Sequence, residues 1–396
     1  MASISGAQET LSPESSTPTI TATLDGPREA VFETPRQSCD GNDIPDAMAR
    51  AFRDYTGTIH FSTASSELFA SLGPTLETVE HNCERAYNSA NDPDPADFND
   101  QVWIDSFYTL DGKNIAALSH TEYHGWAIAG ECNVQGNNQY SACEYDSDTY
   151  HFSTDGGYHF EAPKIPGNFL AEVPWKYKID DGPVGYSVDS NIVELGGWYY
   201  AIATSWNWPP NCSGTTGPSR CITSGGAPIR TQNVFDPTSW RTWNGKDFSV
   251  SFVDPYPAPV TNPYEHIFTP VEYMGFVNGL NVYAPKNLTW QFGNLAVATL
   301  WDYWDDELGT PGMYLTTSTD MIHWTKPTLV VTLRDILKND PKGSWLYAYF
   351  SLIDPDAPDL SFSIIGDHPY LYYVRLDNNG QDRVVFRQRL SLQLNQ

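Results

Sequence analysis

Four carboxylates occupy corresponding places along the chain and suggest proton-transfer chemistry. Asp46, Asp105, Asp189 and Asp354 accompany the openings of similar segments, as in Trp103-Ile104-Asp105-Ser106-Phe107-Tyr108, Ser187-Val188-Asp189-Ser190-Asn191-Ile192 and Ser351-Leu352-Ile353-Asp354. Neighbouring carboxyls push their pKa values apart, so one can stay protonated as an acid while another is ionised as base or nucleophile. That division of labour is what glycoside hydrolysis requires.

A second constellation is His120-Thr121-Glu122-Tyr123-His124. On a strand His120, Glu122 and His124 project on one face, and Thr121 and Tyr123 on the other. Two imidazoles and a carboxylate could orient a sugar, exchange protons or bind a metal. The helical His-Glu-x-x-His zinc pattern is absent. Asp46 and Arg50 share a face if their stretch is extended, so Arg50 is expected to hold Asp46 ionised or bind a uronate. Arg230 and Arg375 are similar candidates. Trp103, Trp126, Trp206 and Trp208 lie in or near long loops, where indoles could stack on sugar rings, while most of the 13 Trp are assigned to packing. The run Asp302-Tyr303-Trp304-Asp305-Asp306-Glu307 could hold a structural calcium ion but lacks the spacing of a dedicated calcium loop. No cofactor is required by this chemistry.

The elements that must position these groups are repeated. Ser153-Thr154-Asp155-Gly156-Gly157-Tyr158-His159-Phe160 returns one residue shorter as Ser318-Thr319-Asp320-Met321-Ile322-His323-Trp324, and Phe235-Asp236-Pro237-Thr238-Ser239-Trp240 lies between them. The closing aromatics Phe160, Trp240 and Trp324 are 80 and 84 residues apart. Gly73-Pro74-Thr75-Leu76 reads as a degenerate earlier copy, and about 70 residues after Trp324 leave room for one more unit. Short aromatic and β-branched runs, such as 114–120, 197–204, 294–300 and 369–376, are separated by Gly, Asn or Asp. Helical periodicity is confined to a short candidate at 333–338. The expected architecture is all-β, a five-bladed β-propeller with long loop insertions, closed by a strand near 29–34. Residues 1–26 are read as a flexible lead-in and 27–396 as the propeller.

Composition agrees with this class. Aromatics make up 14% of the 396 residues, Gly and Pro number 29 each, and charged residues reach only 18%, unlike a helical bundle. The net charge of -27 repels a phosphate backbone, so nucleic acid is excluded as partner. No apolar run approaches the roughly 18 residues that a membrane helix needs. Cys132 and Cys143 lie eleven apart, Cys212 and Cys221 nine apart, and both spacings suit loop-closing disulfides; Cys39 and Cys83 would pair by elimination. Asn211-Cys212-Ser213 and Asn287-Leu288-Thr289 match the glycosylation acceptor pattern. A secreted or periplasmic monomer is expected.

The Ser-Thr-Asp-x-x-x-Trp turns, the opening carboxylates and the unit length resemble the five-bladed propeller glycosidases of the arabinanase, xylosidase and fructosidase group. The Ser153 to Phe160 stretch also resembles the Asp-box turn of sialidases. Ile44-Pro45-Asp46 through Asp54 and His120 to Gly125 look closer still to uncharacterised secreted bacterial propeller proteins. The glycosidase resemblance implies a base on the first blade and a second Asp on the next, which carries over to Asp46 and Asp105. Its acid is a third-blade Glu, where this chain offers Asp189, so Glu122 becomes the replacement acid. The expected function is a glycoside hydrolase acting on a polysaccharide or oligosaccharide, with Asp46, Glu122 and Asp189 catalytic and Arg50, Asp105, His120, His124, Arg230 and Asp354 binding substrate. The competing expectations are a polysaccharide lyase using His, Tyr and Arg on a uronate-containing glycan, and a sugar-binding propeller without turnover.

Overall fold

Apolar residues on both faces of a strand require a packed neighbour on each side, and the strands here satisfy that requirement by standing between two other sheets. The computed structural model describes residues 17–136, 138–164, 167–188, 190–205, 224–285, 295–303, 308–338, 340, 346–377 and 382–395. Its strands form five blades, each built on an antiparallel meander of four, with the second and third joined by a parallel pairing of Val184 with Tyr145. The first blade is Arg50–Arg53, Ile59–Ser62, Glu67–Gly73 and Glu80–Asn88. The second is Gln101–Thr109, Ile115–His124, Glu144–Ser153 and Phe169–Ala171. The third is Val184–Val188, Trp198–Ser205, Gly225–Thr231 and Arg241–Thr242. The fourth is Val277–Tyr283, Leu295–Asp302, Gly312–Ser318 and Thr328–Thr332. The fifth is Leu346–Ile353, Tyr370–Leu376 and Arg383–Asn395, completed by the N-terminal strand Thr19–Glu33.

The hydrophobic clusters prove the ring. Each joins one blade to the next. Phe52 and Leu68 of the first blade meet Ile104 and Ala117 of the second. Leu118 and Tyr186 join the second to the third, Ile202 and Leu280 the third to the fourth, and Val297 and Leu371 the fourth to the fifth. Tyr372 and Phe61 return from the fifth to the first. Along single strands the partners alternate: Ala117 faces the first blade, while Ala116 and Leu118 face the third. This is why apolar residues run continuously here instead of alternating with polar ones.

Closure comes from the termini. Thr19 pairs with Asn395 and Glu33 with Val384, so the ring is fastened by a strand that begins inside the segment expected to be a flexible lead-in. The turns singled out in the sequence all sit between the third and fourth strands of their blades, at 153–160, 235–240 and 318–324, with Gly73 to Leu76 at the matching place in the first. Disulfides join Cys39 to Cys83 and Cys132 to Cys143. Cys212, Cys221, Trp206, Trp208, both glycosylation patterns and most of the 302–307 run lie outside the described residues. The helix Leu333–Leu337 matches the single helical expectation, with Thr332 accepting from the Asp335 amide. Among the described residues no helix is long and apolar enough to cross a membrane.

Candidate active site

The innermost strands of three blades break register where they approach one end of the channel. The ladder shifts between Ile104 and Ser106, between Val277 and Gly279, and between Ala348 and Ser351. Bulges re-aim side chains, and the residues at these breaks, Asp105, Asn278 and Tyr349, all line a cavity of about 420 Å³. Tyr349 is held at φ 61°, a left-handed conformation that a tyrosine seldom adopts. Beneath them lies Arg50. Its guanidinium donates to the carbonyls of Asp105 (2.9 Å), Asn278 (3.1 Å) and Ala49 (3.2 Å), bridging three blades. Arg50 is buried, at 5% exposed, and floors the channel instead of facing Asp46 as its spacing suggested.

The guanidinium beside Asp46 is Arg383, from the fifth blade, which also donates to the Pro45 carbonyl at 3.0 Å. The Tyr349 hydroxyl donates to the same Asp46 oxygen at 3.0 Å. Burial and the Asp46 charge push the Tyr349 phenol far above its ordinary range, so it remains a donor. Asp46 is thus a carboxylate with a cation and a phenol on one oxygen.

The second blade supplies the opposite wall. His120, Glu122 and His124 share one face as their alternation requires, while Thr121 bonds Thr149 at 2.8 Å and Tyr123 enters the core. Across the ladder Glu144 is paired with His124, Asp146 with Glu122 and Asp148 with His120, so six titratable groups share this face of one hairpin. The inner strand of the third blade abuts Asp146 so closely that a Cβ on Gly185 would fall 1.8 Å from its carbonyl oxygen. His124 Nε2 lies 2.6 Å from Glu122 Oε2, and His120 Nε2 lies 3.5 Å from Glu122 Oε1. Indoles fix both rings: Trp103 stacks on His120 at 5.7 Å and Trp126 on His124 at 3.9 Å.

Burial pushes the Glu122 carboxyl up, and the charges of Asp46 and Asp100 push it further, with only His120 opposing. Burial lowers His120 and His124. These shifts favour the neutral forms of Glu122 and of both imidazoles. Glu144 is raised to about 7, first by burial and then by Glu122. Glu122, His124 and Glu144 each present one ligand atom within 4.8 Å of the others. That spacing would admit a divalent cation, and it equally describes a network sharing protons.

Of the residues expected in the site, Asp46, Asp105, His120 and Glu122 line this cavity, and His124 backs Glu122. Asp189 lies outside the described residues; Ser187, two residues earlier, is in the lining. Asp354 is elsewhere. It follows the inner strand and accepts from the amides of Gly366 (2.7 Å) and Asp356 (2.9 Å), capping a turn. Arg230 is sandwiched between Trp198 and Phe248 of its own blade, at 4.0 and 3.9 Å from the ring centroids. Arg375 pairs with Asp340 at 2.8 Å. Sequence reasoning missed Glu144, Tyr349 and Arg383. Glu144 had a visible signal, the alternation Glu144-Tyr145-Asp146-Ser147-Asp148.

No protein-family model and no curated protein matches the chain. Solved structures with similar folds include a Dyadobacter fermentans protein of unknown function, at 11% identity and TM-score 0.47, covering 92% of this chain and 99% of that one. A mutant alpha-L-arabinanase of Cellvibrio cellulosa follows at 10% identity and TM-score 0.41, covering 86% and 91%. A Trypanosoma rangeli sialidase in complex with the inhibitor DANA aligns at 9% identity and TM-score 0.38, over 93% of this chain and 57% of its own.

Proposed function

We infer that the protein is a secreted or periplasmic glycoside hydrolase, working as a monomer, in which Asp46 is base or nucleophile and Glu122 the acid. The observation that carries this reading is that two carboxyls of unlike environment face one cavity: Asp46 beside Arg383 and Tyr349, Glu122 buried among neutral imidazoles and other acids. Protonated Glu122 would deliver its proton to the departing glycosidic oxygen, while Asp46 attacks the anomeric carbon or takes a proton from water. Asp105, in the same lining, would tune the pKa of the acid. The two disulfides support an oxidising compartment.

A lyase needs a cation facing the substrate's uronate, and among the described residues that line the cavity none is Lys or Arg. Reducing-end release and ultraviolet absorbance, measured over a panel of neutral and uronate polysaccharides, test the assignment. Asp46→Asn and Glu122→Gln should each lower turnover by about 1,000-fold with near-ultraviolet circular dichroism unchanged. Full activity in either variant refutes its role. Unsaturated, ultraviolet-absorbing products would establish elimination instead, and binding without product across the panel would establish a sugar-binding propeller.

A further inference from the structure

Resting on the hydrolase reading, we propose that the cavity is one end of a longer cleft, whose second compartment, beyond Trp301, takes the next unit of a neutral oligosaccharide. A cavity of about 250 Å³ adjoins the first and shares Phe276, Trp301 and Ala348 with it. Small-ligand sites usually span about 300–1,000 Å³. The first cavity falls within that range and the second just below it, as suits an extension better than an independent site. The shared wall is built to stay put: the Trp301 ring lies 4.3 Å from that of Phe350 at 31°, and it neighbours Tyr303 at 5.9 Å. A preorganised indole offers a flat apolar platform at little entropic cost. Ala348, on the inner strand of the fifth blade, lines both compartments without a bulky side chain.

Charge selects the ligand. Among the described residues lining the two compartments there is no Lys or Arg, whereas Asp46, Asp105, Glu122 and Glu144 line the first. Asp302, in the second, accepts from the Leu308 amide at 2.9 Å. Asp46, ionised in the hydrolase reading, would repel an anionic sugar from the first compartment, while a neutral ring can stack on the aromatic wall without that cost.

Steady-state kinetics on arabino-, xylo- and cello-oligosaccharides of two to five units test the cleft. The wild-type kcat/KM should rise with chain length for the sugar accepted. Leu346→Trp, which fills the second compartment, and Tyr303→Ala, which strips its wall, should each reduce that rise about 3- to 10-fold, the scale of one aromatic contact. An equal effect of both variants on every length overturns the proposal, as does preferential binding of oligogalacturonates. If the wild type releases no product at any length, the hydrolase reading is what has failed. Calorimetric binding of the same series then decides the cleft alone: length dependence that vanishes in Leu346→Trp supports it, and length-independent binding overturns it.

Discussion

The outer turns of the second and fourth blades are alike down to individual hydrogen bonds, whereas the inner strands meeting at the cavity each present a different side chain. In the turns, Ser153 Oγ bonds Asp155 at 2.8 Å and Ser318 Oγ bonds Asp320 at 3.1 Å. Gly157 and Met321 amides donate to those serines, both at 2.9 Å, and the His159 and His323 rings reach the aspartates, both at 2.7 Å. At the mouth the corresponding contributions are Asp105, Ser187, Asn278 and Tyr349, with Asp46 entering just ahead of its strand. A tight turn has orphan amides that only a few side chains can satisfy, so its solution repeats. Proton transfer, the chemistry proposed for the mouth, needs unlike groups side by side, which a repeated residue would not supply.

The comparison breaks most visibly if the two regions are mutated in parallel. Asp46→Asn and Glu122→Gln should abolish about 99.9% of turnover in a protein that still folds. Asp46→Asn should also lose some melting temperature because Arg383 loses its ion pair, while Asp155→Ala and Asp320→Ala should lower melting temperature and keep turnover. Arg383 joins activity to stability, because it serves Asp46 and sits on the strand that closes the ring. Arg383→Met should cost activity and, by stranding a mostly buried carboxylate, up to about 3 kcal/mol in a urea titration. Asp155→Ala and Asp320→Ala should each cost about 1 kcal/mol and match one another; an effect in one turn only would show that their shared geometry is not shared energetics.

The smallest effect is a titration. Under the proposed mechanism the active form carries a protonated Glu122, so activity should fall on the alkaline side as Glu122 and Glu144 lose their protons, with Glu144 near 7. Removing a negative neighbour lowers a carboxyl's pKa. Glu144→Gln should therefore move the alkaline limb of the kcat/KM profile to lower pH, by up to about one unit. An upward shift would mean that Glu144 donates to Glu122 instead of repelling it.

Turn chemistry and blade spacing were legible because both are local: Ser, Asp and the following amides lie within seven residues. The face shared by His120, Glu122 and His124 was legible for the same reason, since alternation on a strand needs no partner. Asp354 misled because it matches the other openings by residue type. It lies past the end of the fifth inner strand, whereas the residue of that blade facing the cavity, Tyr349, lies within it, five residues earlier, and differs in type from the Asp of the other openings. Arg230 and Arg50 misled differently. A cation's type says nothing about whether it meets a ligand, an aromatic wall or backbone carbonyls.

By itself the sequence determined a ring of repeated β units and the polar face of one hairpin, and its spacing favoured the Cys132–Cys143 bridge, all consequences of short-range pattern. Only the tertiary structure decided which carboxylates meet. Asp46 and Arg383 are 337 residues apart, and Glu144 reaches His124 across the loop closed by Cys132 and Cys143. Such encounters depend on blade order, ladder register and closure by the termini, which fix positions in space that no local periodicity encodes.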